Sequence, residues 1–112
     1  MKFHHFGFRV KNMDETLVLF EANGGKRLSG KMVDPLWGVT VYFLSFCGLP
    51  VEFVEGSGRN HVCFESERME EDIKRLGGIL VRRPAPAVAF DGRNIAWVYT
   101  SGHRLVEIVS KT

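Results

Sequence analysis

The feature that most constrains this chain is an internal repeat. His5-Phe6-Gly7-Phe8 and His61-Val62-Cys63-Phe64 stand 56 positions apart, and the same offset carries Met13, Leu17 and Phe20 onto Met69, Ile73 and Leu76. Both tetrapeptides alternate as strands do, whereas residues at i, i+4 and i+7 line one face of an amphipathic helix. Asn12 with Glu15 forms a capping box before the first helix, and Ser66 is the expected N-cap of the second. Gly24-Gly25 and Gly77-Gly78 end them in the way a left-handed C-cap allows. Strand patterns then return: Arg27 to Val33 and Ile79 to Arg83 as edge strands, and Val39 to Leu44 matching Asn94 to Tyr99 at an offset of about 54. Turns at Cys47-Gly48-Leu49-Pro50 and Ser101-Gly102-His103 precede two closing strands, Val51-Glu52-Phe53-Val54 and Leu105-Val106-Glu107-Ile108-Val109. Each half therefore reads βαβββ, and the whole is an α+β domain of two tandem modules, about 1–56 and 57–112. Gly56-Ser57-Gly58 joins them. Pro84-Ala85-Pro86 and Asp91-Gly92-Arg93 mark an irregular loop found only in the second half.

The repeat also pairs chemistry. A carboxylate in the middle of an apolar strand costs several kcal/mol to bury unless it is paired, solvated or bound to metal. Here each module opens on a histidine and closes on such a glutamate: His5 with Glu52, His61 with Glu107. If the two sheets face each other about a pseudo-twofold axis, the four side chains converge on one cleft. Two neutral imidazoles and two carboxylates suit a borderline divalent ion such as Zn, Ni, Co, Mn or Fe. His4 points away from the face of His5, and His103 falls in a turn; neither is expected to be a ligand.

Composition narrows the classes. The chain has 112 residues, 45% of them hydrophobic, enough for one domain with a core, and a formal net charge of only +2. Its basic residues are scattered among acids without interleaved aromatics, which argues against nucleic acid and still suits a small anionic substrate. No run reaches transmembrane length and no secretory leader is evident, so the default expectation is a cytoplasmic protein that does not span a membrane. Cys47 and Cys63 lie in apolar runs and read as buried thiols. No glycine-rich phosphate loop precedes a helix.

Several segments resemble the vicinal oxygen chelate superfamily, which includes glyoxalase I, methylmalonyl-CoA epimerase, extradiol dioxygenases and bleomycin-resistance proteins. His5-Phe6-Gly7-Phe8-Arg9-Val10 is similar to the family's opening strand, Val51 to Glu55 to its first closing strand, and Asn60 to Glu65 to its second opening. The stretch from Ala89 to Val98, followed by Leu105 to Val109, is closest to epimerase-like members. The resemblance covers essentially the whole chain. It implies a glyoxalase-like paired-sheet cleft, a divalent metal held by His5, Glu52, His61 and Glu107, and a homodimeric assembly.

By this resemblance the expected activity is that of a metal-dependent isomerase, epimerase or lyase. A carbonyl chelated through two neighbouring oxygens makes the adjacent C–H more acidic, and a carboxylate then moves the proton. The substrate is expected to be small and anionic: an acyl thioester, a hydroxy-ketone or a hemithioacetal. Glu52 or Glu107 is the expected base. Epimerase-like relatives carry a separate glutamate before the segment resembling Gly38-Val39, where this chain has Gly30-Lys31-Met32-Val33. Asp34 is the only local acid, and it reads equally as a turn residue before Pro35.

Other side chains have two readings each. Arg9, on the face of His5, is either an anion-binding group or an exposed strand residue. Arg93 and Arg82-Arg83 either guide thioester phosphates or form a solvated basic face. Trp97 and Tyr99 either line the cleft or pack in the core. The alternative function is a metal-free module that binds an antibiotic or metabolite, as bleomycin-resistance proteins do.

Overall fold

The computed structural model describes residues 1–102 and 104–112. It contains nine strands and two α-helices, the α+β composition that the repeat predicts. In chain order these are β1 (Lys2–Arg9), α1 (Met13–Ala22), β2 (Lys26–Arg27), β3 (Met32–Asp34), β4 (Val39–Phe46), β5 (Leu49–Gly56), β6 (His61–Ser66), α2 (Met69–Leu76), β7 (Ile79–Pro86), β8 (Asn94–Tyr99) and β9 (Leu105–Ser110). A single 3-10 turn, Val88–Phe90, lies between β7 and β8. Among the described residues, no helix is long and apolar enough to cross a membrane.

The chain divides into two compact units, one of residues 5–60 and one of residues 1–4 with 61–112. The main boundary between them falls at Asn60–His61. The linker packs back on the first unit: Ser57 Oγ donates to the Trp37 carbonyl at 2.9 Å, and Asn60 Oδ1 accepts from the Arg9 amide at 2.8 Å. Gly58 permits this return, because a Cβ there would stand 2.1 Å from the Val54 side chain.

In the first unit β5 pairs in parallel with β1 and antiparallel with β4, whose other edge carries β2 and β3. Side chains alternate across a strand, so one sheet face is apolar. Tyr42, Leu44, Val51 and Phe53 on that face meet Met13 and Leu17 of α1, with Phe20 and Phe46 at the margin. The single expected edge strand is two short ones. Leu28 and Ser29 both donate backbone N–H to the Phe43 carbonyl, and Ser29 Oγ accepts from the Phe43 amide at 2.9 Å. A bulge there breaks the ladder before β3 resumes it.

Helix α1 is capped as read: Asn12 Oδ1 accepts from the Glu15 amide at 3.0 Å. A second acceptor comes from the closing strand, since Glu55 Oε2 takes the Met13 amide at 2.7 Å. A carboxylate on the first turn satisfies an open donor and complements the helix dipole. Glu55→Ala should lower the unfolding free energy by about 1–2 kcal/mol, read as an earlier midpoint in urea with an unchanged slope; an unchanged midpoint would refute the cap.

The second unit repeats the plan. β9 pairs in parallel with β6 and antiparallel with β8, which pairs with β7. Val98, Val106 and Ile108 form the apolar face, packed by Val62, Phe64, Met69, Ile73 and Leu76. Here the cap differs from expectation. Arg68 occupies the N-cap position and makes no side-chain cap bond, while Ser66 Oγ accepts from the Arg68 amide and donates to the buried carboxylate of Asp72. Strand β7 runs on through Pro84 and Pro86, with register shifts between Leu80 and Arg82 and between Arg82 and Ala85. An edge strand tolerates proline in this way because one row of its N–H groups needs no ladder partner. Cys63 is buried as expected, whereas Cys47 is exposed at positive φ in the β4–β5 turn.

Candidate metal centre

Each unit holds a buried histidine–glutamate pair on the sheet face opposite its apolar core. In the first, β1 and β5 run in parallel with Gly7 beside Glu52, so His5, two residues earlier, shares the Glu52 face. His5 Nε2 lies 3.5 Å from Glu52 Oε1, and the two residues are 0% and 4% exposed. In the second unit Cys63 registers with Glu107 on β9, which places His61 on the Glu107 face. His61 Nε2 lies 3.4 Å from Glu107 Oε1, with exposures of 8% and 2%.

Both separations exceed the 2.7–2.9 Å typical of a charge-assisted hydrogen bond. They match two donors that share one ion. Two ligands each about 2.1 Å from a metal stand about 3.0 Å apart at a right angle and about 3.4 Å apart at a tetrahedral one. One imidazole nitrogen and one carboxylate oxygen per unit is also the donor chemistry that a borderline divalent ion prefers. The residues present therefore fit a metal, pair by pair.

An aromatic ring meets each imidazole edge to face. Phe43 is the cross-strand partner of Glu52, and its ring meets that of His5 edge to face, centroids 5.2 Å apart at 90°. Trp97 is the partner of Glu107 and meets His61 in the same way, 4.7 Å apart at 88°. The sequence reading does not single out Phe43. Its signal was there, because the offset of 54 that aligns β4 with β8 places Phe43 on Trp97.

The remaining expected site residues separate. Arg9 is exposed on the His5 face of β1, and Tyr99 follows Trp97 on the same face of β8. Arg93 is committed elsewhere. It donates to Glu65 Oε2 at 3.1 Å and to the carbonyl oxygens of Ser110 and Phe90 at 3.1 and 3.3 Å. Those bonds tie the 3-10 turn and the end of β9 to β6.

Asp34 is buried at the end of β3, on the Glu52 face by register. Its Oδ1 accepts the Leu36 and Trp37 amides at 3.1 and 3.3 Å, so its carboxylate holds the turn that reverses the chain. At about 3.3 Å per residue and about 4.8 Å per strand, it stands roughly 16 Å from Glu52 over a flat sheet. His4 meets Phe90 edge to face at 5.5 Å. His103 lies outside the described residues.

No protein-family model matches the chain, and no curated protein matches it significantly. Solved structures do. A hypothetical protein from Bacillus halodurans C-125 superposes with a TM-score of 0.79 at 21% identity, covering 99% of this chain and 94% of the other. Methylmalonyl-CoA epimerase from Mycobacterium tuberculosis gives 0.79 at 14% identity, over 99% and 88%. The Streptomyces coelicolor epimerase in complex with 2-nitronate-propionyl-CoA gives 0.76 at 18% identity, over 98% and 96%. At these identities the likeness establishes the fold alone, the one these epimerases have and the one the sequence resemblance implies.

Proposed function

We propose that this chain is a metal-dependent epimerase or isomerase acting on a small acyl thioester, with His5, Glu52, His61 and Glu107 holding one divalent ion. The observation that carries the reading is the duplication of a buried His–Glu pair at equivalent positions of two βαβββ units. Each unit supplies one imidazole nitrogen and one carboxylate oxygen, 3.5 Å apart in the first and 3.4 Å in the second. Carboxylates kept this far from solvent cost several kcal/mol without compensation, and a shared cation supplies it. The epimerase fold supports the reaction class, and the acyl-CoA analogue on one structural neighbour supports a thioester. The same argument disfavours a metal-free binding module, which has no use for two buried carboxylates, and it gives no specific support to a lyase. A homodimeric assembly belongs to the proposal too and rests on the family resemblance alone.

When bound, the ion would supply Lewis acidity toward a substrate carbonyl and make the neighbouring C–H easier to ionise. The chain supplies the proton transfer. Glu52 or Glu107 takes the proton from that carbon, and return of a proton to the opposite face inverts the centre. Asp34 is placed outside this step, because its carboxylate is engaged in its own turn. Arg9, exposed on the His5 face, is the group suited to hold a distal anionic portion of the substrate.

The test is exchange of substrate hydrogen with solvent. Metal-loaded protein incubated with methylmalonyl-CoA in deuterium oxide should incorporate one deuterium next to the thioester carbonyl, and chelated protein should incorporate none. Tight binding of thioesters without exchange would replace the enzyme with a binding protein.

A further inference from the structure

We infer that Phe43 and Trp97 are positioning residues, each fixing the plane of the metal-binding imidazole beside it; the inference rests on the proposed metal centre and extends it. Both rings are only half-buried, on the sheet face opposite the helix, yet each meets a fully buried imidazole at close to a right angle. Each also sits directly across the ladder from the glutamate that pairs with that histidine. Core packing does not account for an aromatic residue placed this way twice.

The physics is one of orientation. The second side-chain torsion of histidine is broad and roughly two-fold, so an unsupported ring samples a wide range and can flip. An edge-to-face contact has a preferred geometry set by the ring quadrupoles. With the neighbouring aromatic in place, Nε2 stays aimed at the carboxylate on the adjoining strand. Without it, the ring must be ordered at the moment of metal binding, and that ordering weakens affinity.

The experiment uses the full chain and cobalt(II) as the probe, in three variants: Trp97→Leu, Trp97→Phe and Phe43→Leu. In metal-free protein, NMR should give His61 ring signals shifted by the indole. Trp97→Leu should move and broaden them, and Trp97→Phe should restore sharp lines. Cobalt(II) affinity should fall on the order of 3- to 10-fold in Trp97→Leu and in Phe43→Leu, with altered d–d bands, and recover in Trp97→Phe. Thermal melts establish that each variant is folded. Unmoved His61 signals together with an unchanged cobalt spectrum in folded Trp97→Leu would overturn the inference, as would failure of Trp97→Phe to rescue. If wild-type protein takes up no cobalt while the NMR signals respond as expected, the metal centre falls and the positioning stands.

Discussion

Replacing His5 with alanine removes tight binding of a divalent ion, and replacing His61 does the same. Groups that only orient a ligand are worth 10- to 100-fold in affinity, so loss of a ligand itself should cost at least about 100-fold. The effect has two sources. One donor is gone, and the glutamate 3.5 or 3.4 Å away loses the neighbour that shares the ion with it. That leaves a buried carboxylate with less compensation for its charge. Calorimetric titration with zinc(II) or cobalt(II) reads the result directly. Comparable losses in the two variants are expected because the residues are repeat equivalents, and a His5→Ala protein with undiminished affinity would show that the pairs are structural.

Glu52→Gln and Glu107→Gln separate ligation from proton transfer. Both should weaken the ion, but at saturating metal only the variant lacking the base should fail to exchange substrate hydrogen. Loss of a general base costs about 10²–10⁴ in rate. Asp34→Asn is the control. Asparagine retains a side-chain oxygen for the Leu36 and Trp37 amides, so the turn survives and exchange should stay near that of the parent chain. A collapse of exchange in folded, metal-loaded Asp34→Asn would move the base from the closing strands to the β3–β4 turn.

The sequence revealed the elements whose signals repeat. The period that set His5 against His61 and Glu52 against Glu107 also located both helices and all four central strands, because apolar alternation and the i, i+4 stripe are local patterns. It did less well wherever long-range contacts decide. Nothing local says that Ser29 turns its hydroxyl into the ladder and splits an edge strand. Pro84 and Pro86 read as a loop because a proline inside a central strand is not tolerated, yet β7 is an edge. Arg93 looked like a free cation, since Glu65 and the carbonyl of Ser110, its actual partners, are brought to it only by folding. Ser66 reads as the N-cap of the second helix, but Arg68 holds that position and Ser66 acts from two residues earlier, through Asp72. Phe43 was overlooked because a strand phenylalanine is usually core, and only its face on β4 shows otherwise.

The central claim is that two separate His–Glu pairs make one centre, and metal stoichiometry tests it most directly. Native mass spectrometry of chain purified without a metal-affinity tag, then titrated with zinc(II), should show one ion per chain. His5→Ala and His61→Ala should each lose the whole equivalent. Two ions per chain, or a single variant that keeps a full site built from the other pair, would contradict the account. So would a folded wild-type chain that takes up none.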